Sequence, residues 1–179
     1  MNLPQQLQES LNYPALQLID ANTGLPQDET QFNVFSQSVL ITFLVGLYKG
    51  TRSSENAAAV MKITDTQGLL DTLFTNEDEL QIIATFVKHP ISAVKEKITE
   101  VANGYLALVK KEAAAETEKE NYLQNLMTGQ RHEILRFLPT GLKLGDLLND
   151  GSLNDDTNKM EGPISSLMHK IENAFSKTD

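Results

Sequence analysis

The residues able to do chemistry are few and scattered. Histidine occurs three times, at His89, His132 and His169, and cysteine not at all, which removes disulfides, thiolate metal sites and cysteine nucleophiles. The run Arg131-His132-Glu133-Ile134-Leu135-Arg136 begins like a two-histidine zinc helix, but Arg136 stands where the second imidazole would be needed. It reads as a solvated face beside Ile134 and Phe137. His89 precedes Pro90 at an expected helix end, where an imidazole can satisfy free carbonyls, so capping is preferred to ligation. In the acidic segment 146–156, Asp146, Asp150 and Gly151 fall at EF-hand positions 1, 5 and 6, but Leu148 and Thr157 replace the ligands at positions 3 and 12. Without the bidentate acid the segment reads as polar linker, and no metal or other cofactor is expected.

The remaining motifs are equally sparse. Ser53 and Ser54 lack a nearby histidine and suit helix capping, and Glu77 and Glu79 sit at an expected helix amino end, where dipole and solvent account for them. No phosphate loop, serine elbow or dinucleotide fingerprint occurs. A net charge of −9, with no more than two adjacent basic residues, argues against nucleic-acid binding. Residues 1–31 contain Glu9, Asp20, Asp28 and Glu29 but no Lys or Arg, so an export signal's basic start is missing and a cytoplasmic location is expected. The most apolar run, 32–48, holds Asn33, Ser36, Gln37, Ser38 and Thr42, too polar for a membrane span and suited to a buried helix.

The elements that must position these residues read as helices throughout. Hydrophobic residues make up 40% of the 179, leucine far outnumbers valine, and aromatics are 6%, a balance that favours an all-α fold. Leu3, Leu7 and Leu11 mark a weak first helix, followed by a turn at Asn22-Thr23-Gly24. A strong helix is expected over about 28–49, with Phe32, Phe35, Val39, Leu40, Phe43 and Leu47 in register and Gly50 as its stop. Shorter helices follow: one from Ser53 or Ser54 through Lys62, one over 66–74, and one opened by an Asn76/Glu79 capping box and closed by Pro90. The next spans about 92–116 on the stripe Val94, Ile98, Val101, Tyr105, Leu108 and Val109. Tyr122 to Met127 form another, ended by Gly129, and His132 to Leu138 add a separate turn or two. Leu142 to Leu148 make a short apolar helix, and residues 149–162 a linker. In the last segment, 163–179, Ile164, Leu167, Met168, Ile171 and Phe175 share one face as a partner-binding amphipathic helix.

Two stretches share a plan. Gly46 and Gly104 each lie inside an apolar helix, and each leads into a leucine-paired helix, at Leu69-Leu70 and at Leu123 with Leu126. Residues 32–74 and 91–127 thus read as two diverged copies of one helical unit. A glycine inside a helix costs ~1 kcal/mol against alanine, so two at matching points predict close helix contacts. The stretches Gly46-Leu47-Tyr48-Lys49, Leu123 to Gln130, and Ile134 to Leu142 with Leu147-Leu148 resemble the YidB-like bacterial domain of unknown function. That resemblance covers about 32–148 and implies a small all-helical protein with no catalytic residues to carry over. The organisation expected is an N-terminal helix and turn (1–31), a helical repeat domain (32–148), a linker and a C-terminal amphipathic helix. The function expected is non-enzymatic protein interaction or assembly, through a protein partner or self-association. The alternatives are a membrane-surface accessory using residues 163–179, a contact that their net charge disfavours, and a small-ligand binder or enzyme with a carboxylate site assembled in space.

Overall fold

A computed structural model describes residues 2–17, 30–113, 121–139 and 142, with the backbone alone for 30–33 and 110–113. The expected turn at 22–24, the tail of the 92–116 helix, the short helix to Leu148, the linker 149–162 and the amphipathic helix 163–179 lie outside the described residues. Within them the secondary structure is entirely helical, in seven elements: α1 (Leu3–Ser10), α2 (Thr30–Gly50), α3 (Ser54–Lys62), α4 (Thr66–Leu73), α5 (Glu77–Val87), α6 (Ile91–Ala113) and α7 (Tyr122–Arg136).

Local chemistry sets most of the boundaries. The side chains of Asn2, Ser53, Asp65 and Asn76 accept the backbone N–H of Gln5, Asn56, Gly68 and Asp78, each satisfying a donor that the first helical turn leaves free. The capping box at α5 is only half made. Asn76 caps, but Glu79 is 6% exposed and its Oε2 has no hydrogen-bond partner among the described residues. At the other end of α5, Lys88 adopts a left-handed conformation (φ 56°) and the His89 N–H reaches back to the Ala84 carbonyl at 3.1 Å. Thus the His89 backbone, rather than its imidazole, takes up a helix-end carbonyl, while the ring stacks on Phe35 with centroids 4.3 Å apart. Pro90 then starts α6, its carbonyl accepting from Ala93 and Val94.

Two expected helix stops are corrected. Gly50 is the last residue of α2 itself, which closes through bonds from Thr51 Oγ1 to the Leu47 carbonyl (2.7 Å) and from the Thr51 N–H to Tyr48. The glycine matches a close approach instead, since a Cβ there would stand 3.0 Å from Leu73 Cδ2. Gly129 does not end a helix either: α7 runs through it as one element, because a single exposed glycine weakens a helix without breaking it.

α2 is the axis of the molecule. Every residue from Val34 to Leu47 whose side chain is large and apolar is buried, and the polar Ser36, Gln37, Ser38 and Thr42 are buried with them. A helix apolar on all sides must be covered on all sides, and α1, α3, α4, α5, α6 and α7 all pack on it. Phe35 against His89 at one end and the Lys49 charge acting on Glu79 at the other show that α5 runs antiparallel to α2. α7 is antiparallel too: Gln37 Nε2 donates to the Phe137 carbonyl (3.0 Å), and Gln124 Nε2 to that of Arg52 (2.7 Å). α6 meets α2 at Phe43 and Tyr105, whose centroids lie 5.4 Å apart. The result is a compact multi-helix array with one apolar core. α1 joins that core through Leu3 and Leu7. The stretch 32–74 folds as α2, α3 and α4, and 91–127 holds α6 and the start of α7.

Candidate functional site: a cleft between α4, α5 and α6

The sequence-singled residues do not converge. His132 is exposed on α7, and Glu133 is engaged by Arg136 at 3.9 Å, whose guanidinium also lies over the Phe137 ring. His89 is stacked near the amino end of α2, and His169 lies outside the described residues. No three His, Cys, Asp or Glu side chains come together for a metal ion among the described residues. Glu77 and Glu79, adjacent in the expected capping turn, part company. Glu77 is exposed and ion-paired with Lys95, whereas burial pushes the Glu79 carboxyl above the usual range despite the opposing Lys49 charge. Glu79 is therefore a buried acid rather than a solvated one, the reverse of the expectation. The phenols of Tyr13 and Tyr105 are pushed above the tyrosine range by burial, with the Glu100 charge adding to the first.

Gly46 and Gly104 face other helices. A Cβ at Gly46 would stand 3.1 Å from Phe74 Cζ and 3.8 Å from Leu73 Cβ, and one at Gly104 2.9 Å from Leu11 Cδ2 and 3.3 Å from Leu7 Cδ1. The first notch admits the carboxyl end of α4 to α2. The second admits α1 to α6. In both cases the approaching atoms are side chains.

What tertiary packing creates, and no motif announced, is a cleft of about 410 Å³ beside the first notch. α4 and α6 are joined by a hydrogen bond from Thr66 Oγ1 to Asn103 Oδ1, and α6 is tied to the start of α5 by the Lys95–Glu77 pair. Between these ties the floor is apolar, from Leu70, Phe74, Leu80 and Ile98, and the rim is Gln67, Asp71, Asn76, Glu77, Lys95 and Thr99. The rim groups largely satisfy one another. Gln67 Nε2 donates to Asp71 Oδ1 (2.7 Å), Thr99 Oγ1 donates to the Lys95 carbonyl (2.7 Å), and Asn76 is occupied by Asp78. No nucleophile stands beside a base there, so the cleft suits burial of an apolar group better than bond-making. One sequence signal could have located it. α4 pairs its apolar residues, Leu69-Leu70 and Leu73-Phe74; Leu69 and Leu73 are buried while Leu70 and Phe74 are only half-buried, so a stripe wider than one contact face leaves its second edge at the cleft.

Comparison with known proteins returns no matching family model, no matching curated protein and no matching solved structure. No described helix is long and apolar enough to cross a membrane, α2 included.

Proposed function

We propose that this protein is a non-enzymatic helical interaction or assembly module, acting in the cytoplasm, with the α4–α5–α6 cleft as a docking surface for an apolar segment of a protein partner or a second copy. The observation that carries the reading is a half-buried apolar floor framed by rim groups already bonded to one another, which offers contact area without unsatisfied reactive groups. The YidB-like resemblance belongs to the same proposal. Its clearest segments, Leu123 to Gln130 and Ile134 to Leu142, cover most of α7 and include the buried Leu142.

The test is Thr99→Trp, which places a bulky neutral side chain at the cleft mouth from an exposed helical position. Affinity capture from native lysate and sedimentation velocity should lose a specific retained partner, or a self-association step, in the variant while its thermal melt is unchanged. Identical partner lists and sedimentation for both proteins would remove the cleft from the proposal.

A further inference from the structure

Where α2 meets α5, polar groups are buried without being matched. Phe35, Ser38, Thr42, Gly46 and Lys49 recur at helical spacing and form one stripe of α2. The two ends of the stripe fix what it faces: Phe35 stacks on His89, just past the end of α5, and the Lys49 charge acts on Glu79 at its start. Between those ends Ser38 and Thr42 are buried, and their hydroxyls have no hydrogen-bond partner among the described residues. The side chains of α5 cannot supply one, because its other buried residues, Ile83, Ala84 and Val87, are apolar. It contributes instead a third unmatched group, Glu79 Oε2. We propose that α5 is a displaceable clamp on α2, closed while the Glu79 carboxyl is protonated and released when it ionises. The neutral acid leaves one unmatched oxygen under α5; the anion leaves a buried charge, which costs far more. Lys49 is the cation that α2 brings to it, without bonding Oε2; Lys95, from α6, pairs with Glu77; and the exposed Glu77 and Asp78 on α5 itself oppose a third negative charge in that turn. Burial raises the Glu79 pKa in the closed state, so that state binds the proton more tightly than one with α5 lifted into water. Closure is therefore fully favoured below the open-state pKa and weakens as pH rises through the closed-state one. Three unmatched groups share this one contact, so α5 lifts before the rest of the body unfolds.

Hydrogen–deuterium exchange of the full chain at pH 5 and pH 7.5, corrected for the intrinsic pH dependence of amide exchange, tests it. Protection of the α5 amides relative to those of α7 should fall by about threefold or more between the two pH values, since each unit by which closure raises the pKa is worth up to about tenfold in the opening equilibrium. Glu79→Gln should abolish that fall. His89→Phe keeps a ring for Phe35 and removes the other titratable side chain set against this stripe, and the fall should persist in it. Thr42→Val should raise α5 protection equally at both pH values, because it removes an unmatched hydroxyl and no charge. Circular dichroism checks that each variant keeps its helices. The inference is overturned if α5 and α7 of the unaltered protein lose protection together, because the opening is then global, or if α5 protection rises with pH, because Lys49 then stabilises the buried anion. It is overturned equally if the fall survives Glu79→Gln or disappears in His89→Phe, or if Thr42→Val lowers α5 protection.

Discussion

Glu79 is the residue whose environment departs furthest from what its position suggests. A carboxyl in the first turn of a helix is ordinarily favoured as the anion, yet here it is buried against the core with one oxygen unpartnered, and desolvation raises its pKa. The folded state therefore binds the proton more tightly than the unfolded chain does. Stability from this group is fully present below the unfolded pKa and declines as pH rises through the folded pKa. Glu79→Gln, which cannot ionise, should raise the denaturation midpoint at pH 7.5, and at pH 4 the two proteins should nearly coincide; a lower midpoint for the variant at pH 7.5 would mean that the anion is the stabilising form. Lys88 is the second such residue. Its left-handed φ of 56° costs a β-carbon-bearing side chain about 1 kcal/mol, and the helix end requires that conformation for the His89 N–H to reach Ala84. Lys88→Gly should stabilise by a few tenths to about 1 kcal/mol in urea melts, the unfolded chain's extra freedom taking back part of the gain, whereas Lys88→Val should destabilise.

Glycines mark the scale of whole elements, because the same residue type sits in two different settings along these helices. At Gly46 and Gly104 a side chain would enter space held by Phe74 or by Leu7 and Leu11, so leucine at either position should cost ~1 to 3 kcal/mol beyond its propensity gain. Alanine should be milder at Gly46, where the nearest atom is a ring edge at 3.1 Å, than at Gly104, where Leu11 Cδ2 must move from 2.9 Å. Gly129 has open space around it, and Gly129→Ala should stabilise α7 by about 0.5 to 1 kcal/mol. Denaturant midpoints of these five variants, with Gly129→Leu as the sixth, decide it. Equal tolerance of leucine at all three glycines would show that the helices do not approach one another at Gly46 and Gly104. The buried hydroxyls of α2 belong to this scale as well: those of Ser36, Ser38 and Thr42 have no hydrogen-bond partners among the described residues, so Thr42→Val should be neutral or stabilising rather than costly.

For the molecule as a whole, three glutamines join segments far apart in the chain. Gln37, 5% exposed, accepts from the Gln17 N–H at 2.8 Å and donates to the carbonyls of Gln17 and Phe137; Gln130 accepts from the Leu3 N–H at 2.9 Å; and Gln124 ties Ser54 and the Arg52 carbonyl. Removing one partner of such a bond leaves a polar backbone group without its match, at ~1 to 3 kcal/mol. Gln37→Leu should therefore speed amide exchange at Gln17 and loosen residues 137–139 well before global unfolding, and uniform exchange in both proteins would deny the glutamine that role. The sequence by itself determined what depends on neighbours within a few positions: the helical class, the caps at Ser53 and Asn76, the α6 stripe from Val94 to Val109, and the buried character of α2, because periodicity and end chemistry are local. It could not supply the stop at Lys88, the continuity of α7 through Gly129, the burial of Glu79, the glutamine ties or the cleft. Each of those depends on which helix face meets which, and the 3.6-residue period fixes that a face is apolar without naming the surface that covers it. Only the packing of six helices around α2 decides where Leu70 and Phe74 are left half-covered and where a carboxyl in a helix's first turn loses its water.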